Sequence, residues 1–254
     1  MKLKILGCSG GIGGDLRTTS MLIDDDVLID AGTGVGDLSV PDLTKIDHIF
    51  VTHSHMDHVT SIPFLVDTVG WMRNKPITLY ATRETLAILH EHLFNWKLWP
   101  DFAQIPDPAR PVLRYQAIDV GVPVRLGNRK ITALPANHVV PAVGYHIDSG
   151  AASLVFSGDT TTNDALWEHV NRIDNLRYLV IETALSDRER ELAIASKHLC
   201  PSLLADELKK LTLSPDVYIT HLKPREAEAI MEEVVARVAE RRPQMLRNNH
   251  VFEL

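Results

Sequence analysis

The chain is predicted to fold as an α/β protein in which two β-sheets are sandwiched between helices. Three observations lead there. Short apolar runs of strand length recur through both halves of the 254 residues, and amphipathic helical stretches punctuate each half. Several of these runs end on a histidine or an aspartate. The length suits one domain or a duplicated two-layered one, and it is enough to bury a large core.

Lys2–Leu6 reads as the first strand and runs into a glycine-rich loop, residues 7–14. That loop lacks the lysine and following helix of a phosphate-binding loop. Glycine there either lets amides cradle phosphate or lets the backbone pass close to a site. Ser20–Ile23 and Val27–Ile29 flank three aspartates and predict a hairpin. Asp30 follows. Ile46–Val51 is apolar throughout and reads as a buried strand. Val59, Ile62, Phe64, Leu65 and Val69 fit a helix packed on a sheet. Ile77–Tyr80 is a strand, and Thr82 caps a helix that reaches about Leu93. Phe94–Pro111 is irregular, rich in aromatics and prolines, and reads as a lid, a base-stacking loop or a subunit-contact arm. Strands are then expected at Val112–Ala117, Val122–Arg125, Lys130–Leu134, Val143–Ile147, Ser153–Phe156 and Tyr178–Ile181. His146 falls on one of them as a core or face residue. Helices are expected at Asp164–Val170, Pro201–Leu211 and Arg225–Ala239. The last shows Ala227, Ile230, Met231, Val234, Val235 and Val238 on one stripe.

The densest chemistry is the run Val51-Thr52-His53-Ser54-His55-Met56-Asp57-His58 at the end of a strand. Imidazole and carboxylate are ligands for divalent first-row metals. Four such groups in one turn are too many for a single tetrahedral ion that must also hold water. Two ions sharing the loop are expected, His53 and His55 toward one, Asp57 and His58 toward the other.

The pattern His-x-His-x-Asp-His after a strand resembles the metallo-β-lactamase-fold hydrolases. The resemblance implies a four-layer αβ/βα sandwich of two mixed β-sheets, here a single hydrolase domain over residues 1–254. It also implies further ligands at later strand ends, and His138, Asp159 and His221 stand there in the family's order. By analogy His53, His55 and His138 hold one ion, Asp57, His58 and His221 hold the other, and Asp159 bridges them. Asp30 would support the metal loop from behind. Cys8, in the first loop, is a lesser candidate ligand. The ions are expected to be zinc, with manganese or iron as alternatives.

Two close divalent ions activate water and stabilise the oxygen that gains charge. That would serve a lactam, a thioester or a phosphodiester. Two stretches narrow the choice. Ile181-Glu182-Thr183-Ala184 follows a strand, and Ala195-Ser196-Lys197-His198-Leu199 precedes a helix. Both resemble the phosphodiesterase branch, with class II cyclic-nucleotide phosphodiesterases nearest and tRNA 3′-processing nucleases related. There His198 would face the phosphate and Glu182 would hold it. Met56 stands where the family pattern has leucine, a mild packing change. His198, Glu182 and Asp57 are therefore the expected catalytic residues. The expected reaction is hydrolysis of cyclic AMP or cyclic GMP to the 5′-monophosphate by hydroxide bridging the ions. The competing readings are a nuclease of the tRNA-processing type, a lactone, lactam or thioester hydrolase, and a metal-binding module without activity.

The formal charge is −7, and no run of Lys and Arg stands out. A small cyclic phosphodiester is therefore the expected partner, and long nucleic acid is disfavoured. Arg241-Arg242 reads as a helix-end charge preference. No apolar run reaches membrane-spanning length, no leader pattern precedes Lys2, and two lone cysteines read as free thiols. A cytoplasmic location follows as an expectation. The resemblance implies a homodimer, with Trp96–Phe102 as a candidate contact.

Overall fold

The computed structural model describes residues 1–254. The first half carries β1 (Lys2–Gly7), β2 (Ser20–Ile23), β3 (Val27–Ala31), β4 (His48–Phe50), β5 (Ile77–Ala81) and β6 (Leu113–Ala117). The second half carries β7 (Pro123–Leu126), β8 (Arg129–Pro135), β9 (Val143–Asp148), β10 (Ser153–Phe156), β11 (Leu176–Glu182), β12 (Asp216–Thr220) and β13 (Gln244–Met245), and β14 (Val251–Glu253) closes the chain. The helices are α1 (Val40–Leu43), α2 (Met56–Val59), α3 (Ser61–Val69), α4 (Arg83–His92), α5 (Asp164–Val170), α6 (Arg190–Ser196), α7 (Pro201–Leu208) and α8 (Ala227–Val238).

Two seven-stranded sheets form, ordered β14-β1-β2-β3-β4-β5-β6 and β13-β12-β11-β10-β9-β8-β7. Each is antiparallel at one side and parallel at the other, as the expected two mixed sheets require. The strands bury both faces, and side chains alternate between them. Val27 and Ile29 of β3 enter the core between the sheets, with Tyr145, Phe156, Val180 and Phe252. Leu28, between them in sequence, enters the core behind the first sheet with Ile62, Leu65 and Val66 of α3. In β11, Tyr178 and Val180 face inward, while Leu179 and Ile181 meet α5, α7 and α8. Three apolar layers therefore separate four layers of secondary structure.

Local signals explain most element ends. Thr82 accepts from the Thr85 amide and starts α4, and Asn163 accepts from Leu166 and starts α5. Arg241 donates to the Leu208, Leu211 and Leu213 carbonyls, so it does serve a helix end. That helix is α7, which stops at Leu208 and not at Leu211.

Several expectations shift. Phe64 sits on α3 yet is 60% exposed; its ring packs edge-on against Trp99 at 5.4 Å. Val235 likewise lies outside the buried stripe of α8. Phe94 and Phe102 belong to the core behind the first sheet, so the 94–111 segment is fastened at two points. Of its large apolar side chains, Trp96 and Leu98 face outward. No helix is long and apolar enough to cross a membrane.

Candidate metal centre

The parallel strands deliver their C-terminal ends to one edge of the sandwich, where ligand sites of α/β sheets form. His53 follows β4, His138 follows β8, Asp159 follows β10, Glu182 ends β11 and His221 follows β12. Three of the turns need unusual backbone. Asp30 and His221 have φ of 54° and 62°, and Gly158 has 60°. A side chain rarely accepts that region, so Asp30 and His221 carry local strain, which glycine avoids at position 158. Gly10 serves differently: a Cβ there would lie 2.4 Å from the His221 carbonyl oxygen. The first glycine-rich loop thus lets the backbone pass close to His221, one of its two sequence readings.

All seven candidate ligands converge. Donor atoms of His53, His55, His138 and Asp159 lie within 4.8 Å of one another, and those of Asp57, His58 and His221 form a second such group. Asp159 joins the two. Its Oδ2 is 3.7 Å from His53 Nε2 and 3.4 Å from His221 Nε2, and its Oδ1 is 3.5 Å from His58 Nε2. Asp57 Oδ2 stands 3.7 Å from His221 Nε2 and 3.8 Å from His58 Nε2.

Hydrogen bonds at the far nitrogens settle the tautomers. Thr52 Oγ1 donates to Asp30 Oδ2 at 2.8 Å, so it must accept from His53 Nδ1 at 3.0 Å. His58 Nδ1 donates to Asp30 Oδ2 at 2.7 Å. His138 Nδ1 donates to the Lys197 carbonyl at 3.1 Å. In its neutral form each ring then turns an unprotonated Nε2 inward. His53 Nε2 and His58 Nε2 are buried with no hydrogen-bond partner. His138 Nε2 faces His55 Nδ1 at 3.2 Å. Buried lone pairs aimed at a shared space want a cation, and the donor set fits divalent metal ions. His221 differs: its Nε2 faces Asp57 and Asp159, while its Nδ1 is buried without a partner.

The electrostatics follow from burial and the central carboxylate. Burial holds His53 well below the ordinary imidazole range and brings His138 and His221 to about 4. Burial also opposes charge on His58, but Asp159 and Asp30 outweigh it and raise that ring well above its usual value. Burial opposes charge on Asp159 too; the histidines around it, His221 first, prevail and hold its carboxyl far down. Neutral imidazoles, as at His53, His138 and His221, and an ionised aspartate are the states a metal requires; at His58 a bound ion would have to displace the proton that the two carboxylates draw onto the ring.

His198 stands beside this set. Lys197, left-handed at φ 54°, ends α6, and the His198 amide donates to Ala193 O at 2.8 Å. His198 Nδ1 donates to Glu182 Oε1 at 2.8 Å. Glu182, fully buried, also accepts from the Thr160 and Leu199 amides. The His198 ring stacks on His221 with centroids 5.3 Å apart and planes at 19°. Its side chain keeps 12% exposure. Burial opposes charge on His198, and the Glu182 carboxylate overrides that and raises it.

The Cys8 thiol points elsewhere. It donates toward the Leu246 carbonyl at 3.4 Å, and burial pushes it up to about 12. Only its carbonyl serves the site, accepting from the His221 amide. Thr52, Lys197 and Lys223 were not singled out as site residues in the sequence. Lys197 Nζ returns a bond to the His138 carbonyl, and Lys223 Nζ reaches Gly10 O at 2.8 Å. Adjacency to a ligand was the only signal for Thr52 and for Lys223, two residues past His221.

The sequence profile of the Beta-lactamase superfamily domain matches residues 25–240. A probable 3′,5′-cyclic-nucleotide phosphodiesterase of Yersinia pestis is 26% identical over 272 residues, covering 86% of this chain and 77% of that protein. A ribonuclease Z of Thermococcus kodakarensis is 30% identical over 124 residues, covering 47% of this chain and 36% of that protein. Unliganded yeast PDE1 superposes with a TM-score of 0.82 at 18% identity, covering 100% of this chain and 99% of that one. The last likeness speaks for the fold.

Proposed function

The chain belongs to the β-lactamase superfamily, and from that premise we propose that it is a two-metal phosphodiesterase acting on 3′,5′-cyclic nucleotides. Its metal-dependent hydrolase character comes with the family. The finer reading rests on one observation: the Glu182–His198 pair at 2.8 Å, set against the ligand cluster but not needed to complete it. A lactam or thioester hydrolase would leave this buried ion pair without a task.

His53, His55, His138 and Asp159 would hold one divalent ion, and Asp57, His58, His221 and Asp159 the other. When bound, the ions supply Lewis acidity and lower the pKa of attacking water. The chain supplies the rest. Asp57, partly exposed, is the carboxylate placed to take the proton that water loses. Water oxygen bonds to phosphorus and the P–O3′ bond breaks. The departing 3′-oxygen is a poor leaving group and needs a proton. His198 carries it at Nε2, because Nδ1 is committed to Glu182. The buried carboxylate keeps that ring charged and aimed. The product is the nucleoside 5′-monophosphate.

The similarity to ribonuclease Z favours a second reading, cleavage of an RNA phosphodiester by the same groups. A panel of cyclic AMP, cyclic GMP, bis(p-nitrophenyl) phosphate, a precursor tRNA and a β-lactam separates the two. Release of a 5′-monophosphate from a cyclic nucleotide is expected. Cleavage of the generic diester or the tRNA with both cyclic nucleotides untouched would replace the first reading by the second.

A further inference from the structure

A basic cleft lies at the opposite end of the first sheet from the metal centre. Strands β4, β5 and β6 run parallel, and the His53–His58 loop sits where β4 ends. Where β5 and β6 begin, residues 70–76 and 106–114 border a cleft of about 480 Å3. Trp71, Arg73, Lys75, Arg110 and Arg114 line it, and no Asp or Glu does. Lys and Arg make up 26 of 254 residues, and Asp and Glu 33. Composition alone would put about one cation and one or two acids into a lining of twelve. Four cations without an acid is a marked reversal in a chain of net charge −7.

The cations are not equally free. Arg73 is fixed by the Thr44 carbonyl and by Asp47, and Lys75 shares Asp47. Arg110 meets Asp107 at 3.2 Å, but its side chain is 83% exposed. Arg114 is exposed and has no carboxylate within ion-pair distance. Against four cations stand two carboxylates, both outside the lining. Trp71 offers an indole 66% exposed to solvent. Three prolines, Pro76, Pro106 and Pro111, stiffen the walls around it.

We propose that this cleft, formed by Trp71, Lys75, Arg110 and Arg114, binds a nucleoside 5′-phosphate, separate from the metal centre. The guanidinium forks of Arg110 and Arg114 match phosphate oxygens, and an open indole face stacks a base of any kind. The volume lies within the range of small-ligand sites.

Equilibrium dialysis of the metal-loaded protein with AMP, inorganic phosphate and a single-stranded RNA oligonucleotide tests it. Arg110→Ala/Arg114→Ala is expected to remove one equivalent of bound AMP, whatever AMP binds at the metal centre. Trp71→Ala is expected to weaken that equivalent at least tenfold while leaving phosphate binding unchanged. Turnover of bis(p-nitrophenyl) phosphate should stay at the wild-type level in all variants, which also reports that they fold. Unchanged AMP stoichiometry in the double variant overturns the site. AMP binding indifferent to Trp71→Ala overturns the nucleoside part. RNA binding that needs these residues, without AMP binding, overturns the mononucleotide in favour of a strand. None of these outcomes depends on which diester the metal centre hydrolyses.

Discussion

Glu182 holds His198 through one carboxylate oxygen and the Leu199 amide through the other, at 2.8 and 3.2 Å. The first oxygen also accepts from the amide of Thr160, next to Asp159. One buried carboxylate therefore sets the positions of both the proposed proton donor and the central metal-facing aspartate.

Replacing His198 by Ala removes the proposed acid and none of the seven candidate ligands. Metal content should stay at the wild-type value, and phosphodiester turnover should fall by about a hundredfold or more. Glu182→Gln should lower turnover less, since an amide oxygen can still accept from His198 Nδ1. Elemental analysis and initial rates check both. Wild-type turnover in His198→Ala would remove this residue from the chemistry.

Asp159 faces His53, His58 and His221 at 3.4 to 3.7 Å. Asp159→Ala should release or scramble both ions, and the loss of bound metal should lower the thermal midpoint through linkage. Chelation of the wild-type protein should lower it in the same direction. Two ions retained by the Ala variant would show that the carboxylate does not bridge.

Asp30 receives Thr52 N, Thr52 Oγ1 and His58 Nδ1, and is completely buried. Asp30→Asn should keep the fold and weaken metal binding by about 10- to 100-fold. Its amide must present an N–H toward one of these donors. Competition with a chelator of known affinity measures it; an unaltered affinity would reduce Asp30 to a turn residue.

The site was more legible than its surroundings. His53, His55, Asp57 and His58 are close in sequence, so the loop announced itself. His138, Asp159 and His221 could be paired with it because the family resemblance implies ligands at later strand ends, and each of the three ends an apolar run. What joins distant segments left no such trace. Arg73 and Lys75 lie about forty residues from Arg110 and Arg114, so the basic cleft is absent from any run of charge. The expectation of no Lys and Arg cluster held only along the chain. Helix α6 was missed because its seven residues bury one side chain, Ala193. Strands β13 and β14 are two and three residues long and gain their partners only from the rest of the sheet. Phe64 fitted the helical period but lies on the side of α3 that Trp99 covers from outside.

Acid should reveal a stabilising group far from the metals. Burial alone would push Asp148 up, but Asn175, Lys130 and the Gly150 amide outweigh it and hold the carboxyl near 2. A depressed value means that the folded state favours the ionised form. The contribution is complete above the ordinary carboxyl range near pH 4 and is lost as pH falls toward 2. Asp148 is buried but its Lys130 partner is about a third exposed, so solvent screening limits the contribution to about 1 kcal/mol. In Asp148→Asn the urea midpoint should fall at pH 6 and lose part of its slope between pH 4 and 2. An unchanged slope would assign the acid sensitivity to other carboxyls.

Gly10 and Gly36 make a matched pair for the close approach at the metal centre. A methyl at Gly10 would sit 2.4 Å from the His221 carbonyl oxygen, whereas one at Gly36 meets nothing within 4 Å. Backbone blocks the first position, so relief must come from moving His221 or the first loop. His221 already holds an uncommon φ of 62°, and its amide is tied to Cys8 O. A shift there carries Nε2 away from Asp57 and Asp159. Gly10→Ala should therefore destabilise by about 1–3 kcal/mol, as overpacking does, and should lose metal from the Asp57, His58 and His221 group. Gly36→Ala should be neutral or stabilising by up to about 1 kcal/mol through a less flexible unfolded chain. Urea titration and metal analysis of the two variants read the contrast. Equal behaviour would mean that the glycine-rich loop owes its composition to something other than the path past His221.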